Sequence, residues 1–214
     1  MLTVQTFIFN PVQENTYLVY NDAGQCCIID PGCYFDNEEQ QIRDFIQQHH
    51  LQPLYLLNTH CHLDHIFGNC FIHNTYNLPL HLHRSEKPVL EYGPASGQMW
   101  GLPFDNYNGE LKFIDEGDTI RLGDDTLDIL FVPGHSPGHI AFYSKAGKFI
   151  LSGDVLFSGS VGRTDLPSGD FNILQESIKT KLYALPKDVI VYPGHGETTT
   201  IGDEKKSNPF VKMI

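Results

Sequence analysis

A mixed α/β fold with its chemistry gathered at strand ends is what this sequence predicts, and three observations predict it. Short apolar runs bounded by turn residues alternate with amphipathic helical stretches, the pattern of β-α-β units. Four of those runs stop at a tight turn and are followed at once by His or Asp. The densest of them is Thr59-His60-Cys61-His62-Leu63-Asp64-His65, where His60, His62, Asp64 and His65 put four candidate metal ligands within six residues. Ligands meet when strands of one sheet system share an edge, which is where open α/β folds place their sites.

Residues 2–9, 15–20 and 25–30 read as an antiparallel meander, the last two strands joined by an Asn-Asp-Ala-Gly turn. Asp30, before Pro31-Gly32, is either a turn former or a carboxylate that braces the histidine loop. Residues 37–50 place Ile42, Phe45 and Ile46 on one helical face, with Glu38 and Glu39 early and His49-His50 late, as the helix dipole favours. Those two histidines are assigned to the helix end. The run 53–59 is a buried strand; His60 and His62, two apart, point the same way in extended backbone and Cys61 points opposite. That strand end can offer two imidazoles to one metal, and Asp64 with His65 to a second. A helix is expected over 66–74 and a short strand over 78–82, where His81 and His83 repeat the spacing without a carboxylate and are read as surface or supporting residues.

Residues 85–110 carry Pro88, Gly93-Pro94, Gly97, Gly101, Pro103 and Gly109 and read as a long irregular loop holding the lone Trp100. Such a loop serves as a lid or pocket wall, or packs on the body. Strands over 126–132, 148–152 and 188–192 end in Pro133-Gly134-His135, Gly153-Asp154 and Pro193-Gly194-His195, the glycine permitting the turn. Between the last two, 159–170 is a loop and 172–185 an amphipathic helix with Ile173, Ile178, Leu182 and Leu185 inward. His139 is read as structural.

At 214 residues, 41% hydrophobic and 19% charged, the chain suits one domain over 1–214. No apolar stretch approaches the ~20 residues of a membrane span. The start has no basic leader or small-residue cleavage site, so a cytoplasmic location is expected. The five cysteines (26, 27, 33, 61, 70) are odd in number and lack paired spacing, which favours reduced thiols. A net charge of -12 with no basic run argues against nucleic acid as a partner.

The motifs THCHLDH, PGHSPGH, SGD and PGHG, in this order and at these separations, resemble those of the metallo-β-lactamase superfamily, and most closely its small glyoxalase II-like hydrolases. The resemblance runs from the ENTYLV strand to SNPF. It implies an αββα sandwich, two mixed β-sheets flanked by helices. It implies two divalent metal ions, zinc first, with iron or manganese as the other candidates: His60, His62 and His135 hold one, Asp64, His65 and His195 the other, and Asp154 bridges them. It makes Asp30 a support of the loop and 159–165 a wall of the site, with Arg163 where glyoxalase II carries a lysine that contacts glutathione. The implied reaction is hydrolysis of a small-molecule thioester of the S-hydroxyacylglutathione type by hydroxide generated at the metals, with Asp64 aiming it. A thiol, with a pKa near ~8.5, leaves without a dedicated acid. Two departures stand out. Gly196-Glu197-Thr198 replaces the family's Glu-Tyr-Thr, removing a glutathione-holding Tyr, and the residues after His195 leave no room for a helical C-terminal domain. A rival reading is a persulfide dioxygenase with one iron on His60, His135 and Asp154. Those oxygenases resemble Pro-Ala-His-Asp where this chain has Pro193-Gly194-His195-Gly196, so hydrolysis is preferred. No membrane partner is expected, and the oligomeric state is left open.

Overall fold

Strands buried on both faces read as unbroken apolar runs, and Cys26-Cys27-Ile28-Ile29 is such a run. In the computed structural model, which describes residues 1–212, β1 (Thr3–Phe9), β2 (Glu14–Tyr20) and β3 (Gln25–Ile29) form an antiparallel meander. Helix α1 (Asp36–Gln48) crosses to β4 (Gln52–Leu57), parallel to β3. Helices α2 (Leu63–Ile66) and α3 (Asn69–Tyr76) lead to β5 (Leu80–Leu82), and α4 (Lys87–Trp100) to β6 (Leu111–Phe113), both strands again parallel to their predecessors. These six strands lie side by side in chain order.

A second six-stranded sheet follows. Strands β7 (Thr119–Leu122), β8 (Asp125–Phe131), β9 (Ile140–Ser144) and β10 (Phe149–Gly153) are antiparallel. A hairpin, β11 (Leu156–Phe157) with β12 (Ser160–Val161), and helix α5 (Phe171–Ser177) carry the chain to β13 (Ile190–Pro193), parallel to β10. Strand β14 (Thr199–Thr200) and helix α6 (Ile201–Ser207) come last.

Period-two alternation sorts neighbouring residues into different layers. Leu18, Ile28 and Leu56 pack with Ile42 and Ile72 of α1 and α3. Their neighbours Val19, Ile29 and Leu57 meet Leu127, Ile129, Phe142 and Leu151 of the second sheet. On that sheet's far face Ile150 and Val191 cover Leu174, Ile178 and Leu182. The order is helix, sheet, sheet, helix. Each fully buried Leu or Ile contributes roughly 1.5–3 kcal/mol.

Three expectations need correction. Residues 87–100 are a helix, not loop: Pro88 sits in the first turn, where no donor is required. Pro94, inside the helix, leaves the Leu90 carbonyl without its partner four residues on, and Asn106 Nδ2 donates to it at 2.7 Å. Ile173 is 48% exposed, and Leu174, four residues before Ile178, faces inward in its place. The helix expected over 66–74 is broken near Gly68 into α2 and α3. Among the described residues, no helix is long and apolar enough to cross a membrane.

Candidate metal centre

Parallel pairing of β10 with β13 sets Gly153 opposite Pro193, so Asp154 and Gly194-His195 emerge side by side. The turn after β8 brings His135 to the same edge. The loop after β4 arrives from the other sheet and is fastened across the gap: Ile140 N donates to Thr59 O at 2.9 Å. Strand β2 holds the last turn, with Asn15 N donating to Gly194 O at 2.7 Å and Asn15 Nδ2 to Pro193 O at 2.9 Å. All seven side chains expected from the motifs therefore converge.

They form two triads. One ligand atom each from His60, His62 and His135 lies within 4.8 Å of the others, and the same holds for Asp64, His65 and His195. Asp154 faces both: Oδ1 is 3.5 Å from His65 Nε2, and Oδ2 is 3.6 Å from His135 Nε2 and 3.7 Å from His195 Nε2.

Hydrogen bonds behind the rings set their tautomers. His135 Nδ1 donates to the Arg163 carbonyl at 2.7 Å. His65 Nδ1 donates to Asp30 Oδ2 at 3.1 Å, and His195 Nδ1 to the Gln13 carbonyl at 3.2 Å. The Thr59 hydroxyl spends its proton on Asp30 Oδ2 at 2.5 Å, so it accepts from His60 Nδ1 at 3.1 Å. In the neutral rings, Nε2 of all four histidines is left as a lone pair facing the centre. Nitrogens crowd there: His62 Nδ1 is 2.8 Å and His60 Nε2 3.2 Å from His135 Nε2.

Electrostatics divide the two groups. Burial, with neighbouring imidazoles adding to it, holds His60 and His62 below the ordinary histidine pKa, His62 down to about 3. Burial lowers His135 as well. Burial also opposes charge on His65 and His195, yet the Asp64 and Asp154 carboxylates hold both above the ordinary value. Burial would raise Asp64 and Asp154, and the nearby histidines, His65 foremost, keep both below the usual carboxylate range.

The chain fits divalent cations here. His65 Nε2 and Asp154 Oδ1 are buried without a hydrogen-bond partner among the described residues, an arrangement that is costly unless a ligand completes it. A Cβ on Gly194 would stand 2.0 Å from Asp154 Oδ1 and 2.8 Å from His65 Cε1, filling the space the ligand atoms face. Gly162 is needed for a different reason: a Cβ there would lie 1.9 Å from the Asp154 carbonyl and 3.1 Å from His135 Nδ1. Imidazole and carboxylate suit zinc, iron and manganese alike.

Asp30 braces the histidine loop, accepting also from Thr59 N at 2.7 Å and Asn58 Nδ2 at 3.2 Å. The Arg163 guanidinium is half exposed and makes two 2.7 Å bonds to Asp165. His139, expected to be structural, is buried against the centre: it stacks on His60 at 4.6 Å, and its Nε2 accepts from Asp154 N at 3.1 Å. His49 stacks on Phe45 and His83 on Phe131, away from the cluster. Glu86, Asn58 and Asn10 escaped sequence reasoning. Each acts through contacts with residues distant in the chain, and no local pattern marks them.

The model of the metallo-beta-lactamase superfamily matches residues 9–195. The chain is 39% identical over 201 residues to a protein of Haemophilus influenzae named hydroxyacylglutathione hydrolase GloC, with 93% of each chain covered. Among solved structures, the BLEG-1 B3 metallo-beta-lactamase superposes with a TM-score of 0.90 at 36% identity, covering 99% of this chain and 100% of that one. TTHA1623 in a di-iron-bound form superposes at 0.85 and 39% identity, covering 98% and 100%. The layered sheets, the convergent strand ends and a match spanning most of the sequence lead to one assignment: the chain belongs to the metallo-β-lactamase superfamily and is a metallo-hydrolase of that family.

Proposed function

We propose that this hydrolase cleaves small-molecule thioesters of the S-hydroxyacylglutathione type, using two divalent cations. The observation that carries the two-cation reading is Asp154, whose two carboxylate oxygens face both triads. His60, His62 and His135 would hold one ion, Asp64, His65 and His195 the other, and Asp154 both. Bound there, such ions supply hydroxide at neutral pH and polarise the substrate carbonyl.

The chain's own residues do the rest. Asp64 is 15% exposed at its side chain, its Oδ2 lies 3.1 Å from His195 Nε2, and its backbone carbonyl is fixed by Asn10 Nδ2 at 3.0 Å. It is placed to accept a hydrogen bond from an attacking water and so to orient it. The thiolate departs without protonation, which suits a centre with no separate acid. Arg163, its carbonyl accepting from His135, would exchange its Asp165 partner for a substrate carboxylate. The 39% identity to a hydroxyacylglutathione hydrolase supports the thiol carrier. Zinc is the first choice of metal, and the di-iron form of TTHA1623 keeps iron beside it. Five unpaired cysteines suit a reducing cytoplasm, and the charge of -12 opposes nucleic acid as a partner.

Metal analysis of protein purified without added metal, paired with two assays, tests this. Two ions per chain and release of thiol from S-lactoylglutathione are expected. One iron with oxygen uptake on glutathione persulfide would replace the hydrolase reading by the dioxygenase.

A further inference from the structure

Glu86 closes the single helical turn Arg84–Glu86 that precedes α4, and its side chain is fully buried. A carboxylate out of water must be met by donors. Here Oε2 accepts from Cys61 N at 2.8 Å, and Oε1 accepts from Ser136 Oγ and Gly138 N, both at 2.6 Å. Cys61 lies between His60 and His62, and Ser136 directly follows His135. One carboxylate thus grips two loops that come from different sheets, and all three ligands of one triad ride on those loops.

The other triad is held elsewhere. Asn10 Nδ2 fixes the Asp64 carbonyl, Asn58 Nδ2 the His65 carbonyl at 3.0 Å, and the Gln13 carbonyl orients His195. None of these groups touches Glu86. We propose that Glu86 is a positioning residue for one metal site only: it clamps the His60–His62 loop to the His135 loop and presets the three-imidazole triad. Its three donors are neutral, two on Oε1 and one on Oε2, so the carboxylate is held without a cation of its own. The proposal rests on the two-ion reading but not on the identity of the substrate.

The test is titration of the metal-free full-length protein with Zn²⁺ against a chromophoric chelator, with thermal melting of the same metal-free samples. Wild type is expected to bind two ions. Glu86→Gln should weaken one of them by about 10–100-fold, the range seen when a group supporting a ligand is lost, and leave the other within about threefold. Ser136→Ala removes one of the three donors while the carboxylate stays, so it should weaken the same ion by a smaller factor; it decides the matter if Glu86→Gln does not fold without metal. Equal weakening of both ions, or of neither, in a variant that melts like wild type would overturn the clamp. Should wild type bind a single ion, the two-ion reading falls on its own, and the clamp stands or falls with whether Glu86→Gln and Ser136→Ala weaken that ion.

Discussion

The two triads are built from opposed chemistries. His60, His62 and His135 form a nitrogen-only set in which burial keeps the rings neutral. Asp64, His65 and His195 mix imidazole with carboxylate, and two of their three side chains are open to solvent, His195 at 28% and Asp64 at 15%. A cation on the first triad finds neutral donors, two of them buried and His62 partly exposed; on the second it meets a compensating negative charge and more water. The difference teaches that the centre is asymmetric before any ion arrives. The two positions should therefore differ in affinity and metal preference, and Asp154 faces both triads.

That asymmetry can be broken most severely at the shared residue. Asp154→Asn should lower kcat/KM for a thioester by more than about 100-fold, beyond what loss of a merely supporting group costs, and should weaken both ions together. Near-normal turnover with two ions retained would remove Asp154 from its place between the triads. Gly162→Ala comes next: its Cβ cannot coexist with the Asp154 carbonyl and the His135 ring, so strain of about 1–3 kcal/mol is expected in thermal or chemical unfolding. Metal titration should show the three-imidazole position affected along with the bridge, and an unaltered titration would mean the hairpin yields instead.

The opposite half can be probed alone. Asn10 sits at φ 54° and fixes the Asp64 carbonyl through Nδ2. Asn10→Gly keeps that backbone accessible and removes the donor, so it should weaken only the carboxylate-bearing position, by about 10-fold. Equal weakening of both positions would mean the supports are not separate. Arg163→Ala is the mildest for the metals. It should raise KM about 10-fold for anionic thioesters, leave neutral ones unchanged and keep metal content intact; equal effects on both substrates would reject the anchoring role.

The ligands were legible because they cluster just past the ends of apolar runs, where a turn leaves His60, His135, Asp154 and His195 at the sheet edge and the short helix α2 follows with Asp64 and His65. The layered fold was legible less directly. Leu18 and Val19, or Leu56 and Leu57, read as continuous apolar pairs, and only the second sheet reveals that adjacent residues enter different cores. Helix α4 was hidden because Pro94 argues against a helix, and the compensating donor, Asn106, lies twelve residues further on. Glu86 was hidden for the same kind of reason: its partners lie 25, 50 and 52 residues away. His139 stood within a quoted motif, yet its stack on His60 and its bond to Asp154 N depend on how β9 and β10 register, which spacing along the chain does not encode.

The bonds from Asn15 to Pro193 and Gly194 tie the second strand to a turn some 180 residues later. A ribosome that has released residues 1–143 has produced His60 through His65 and His135, but neither Asp154 nor His195. The seven side chains can therefore meet only after residue 195 has been made, and a nascent chain stalled earlier would carry an incomplete cage.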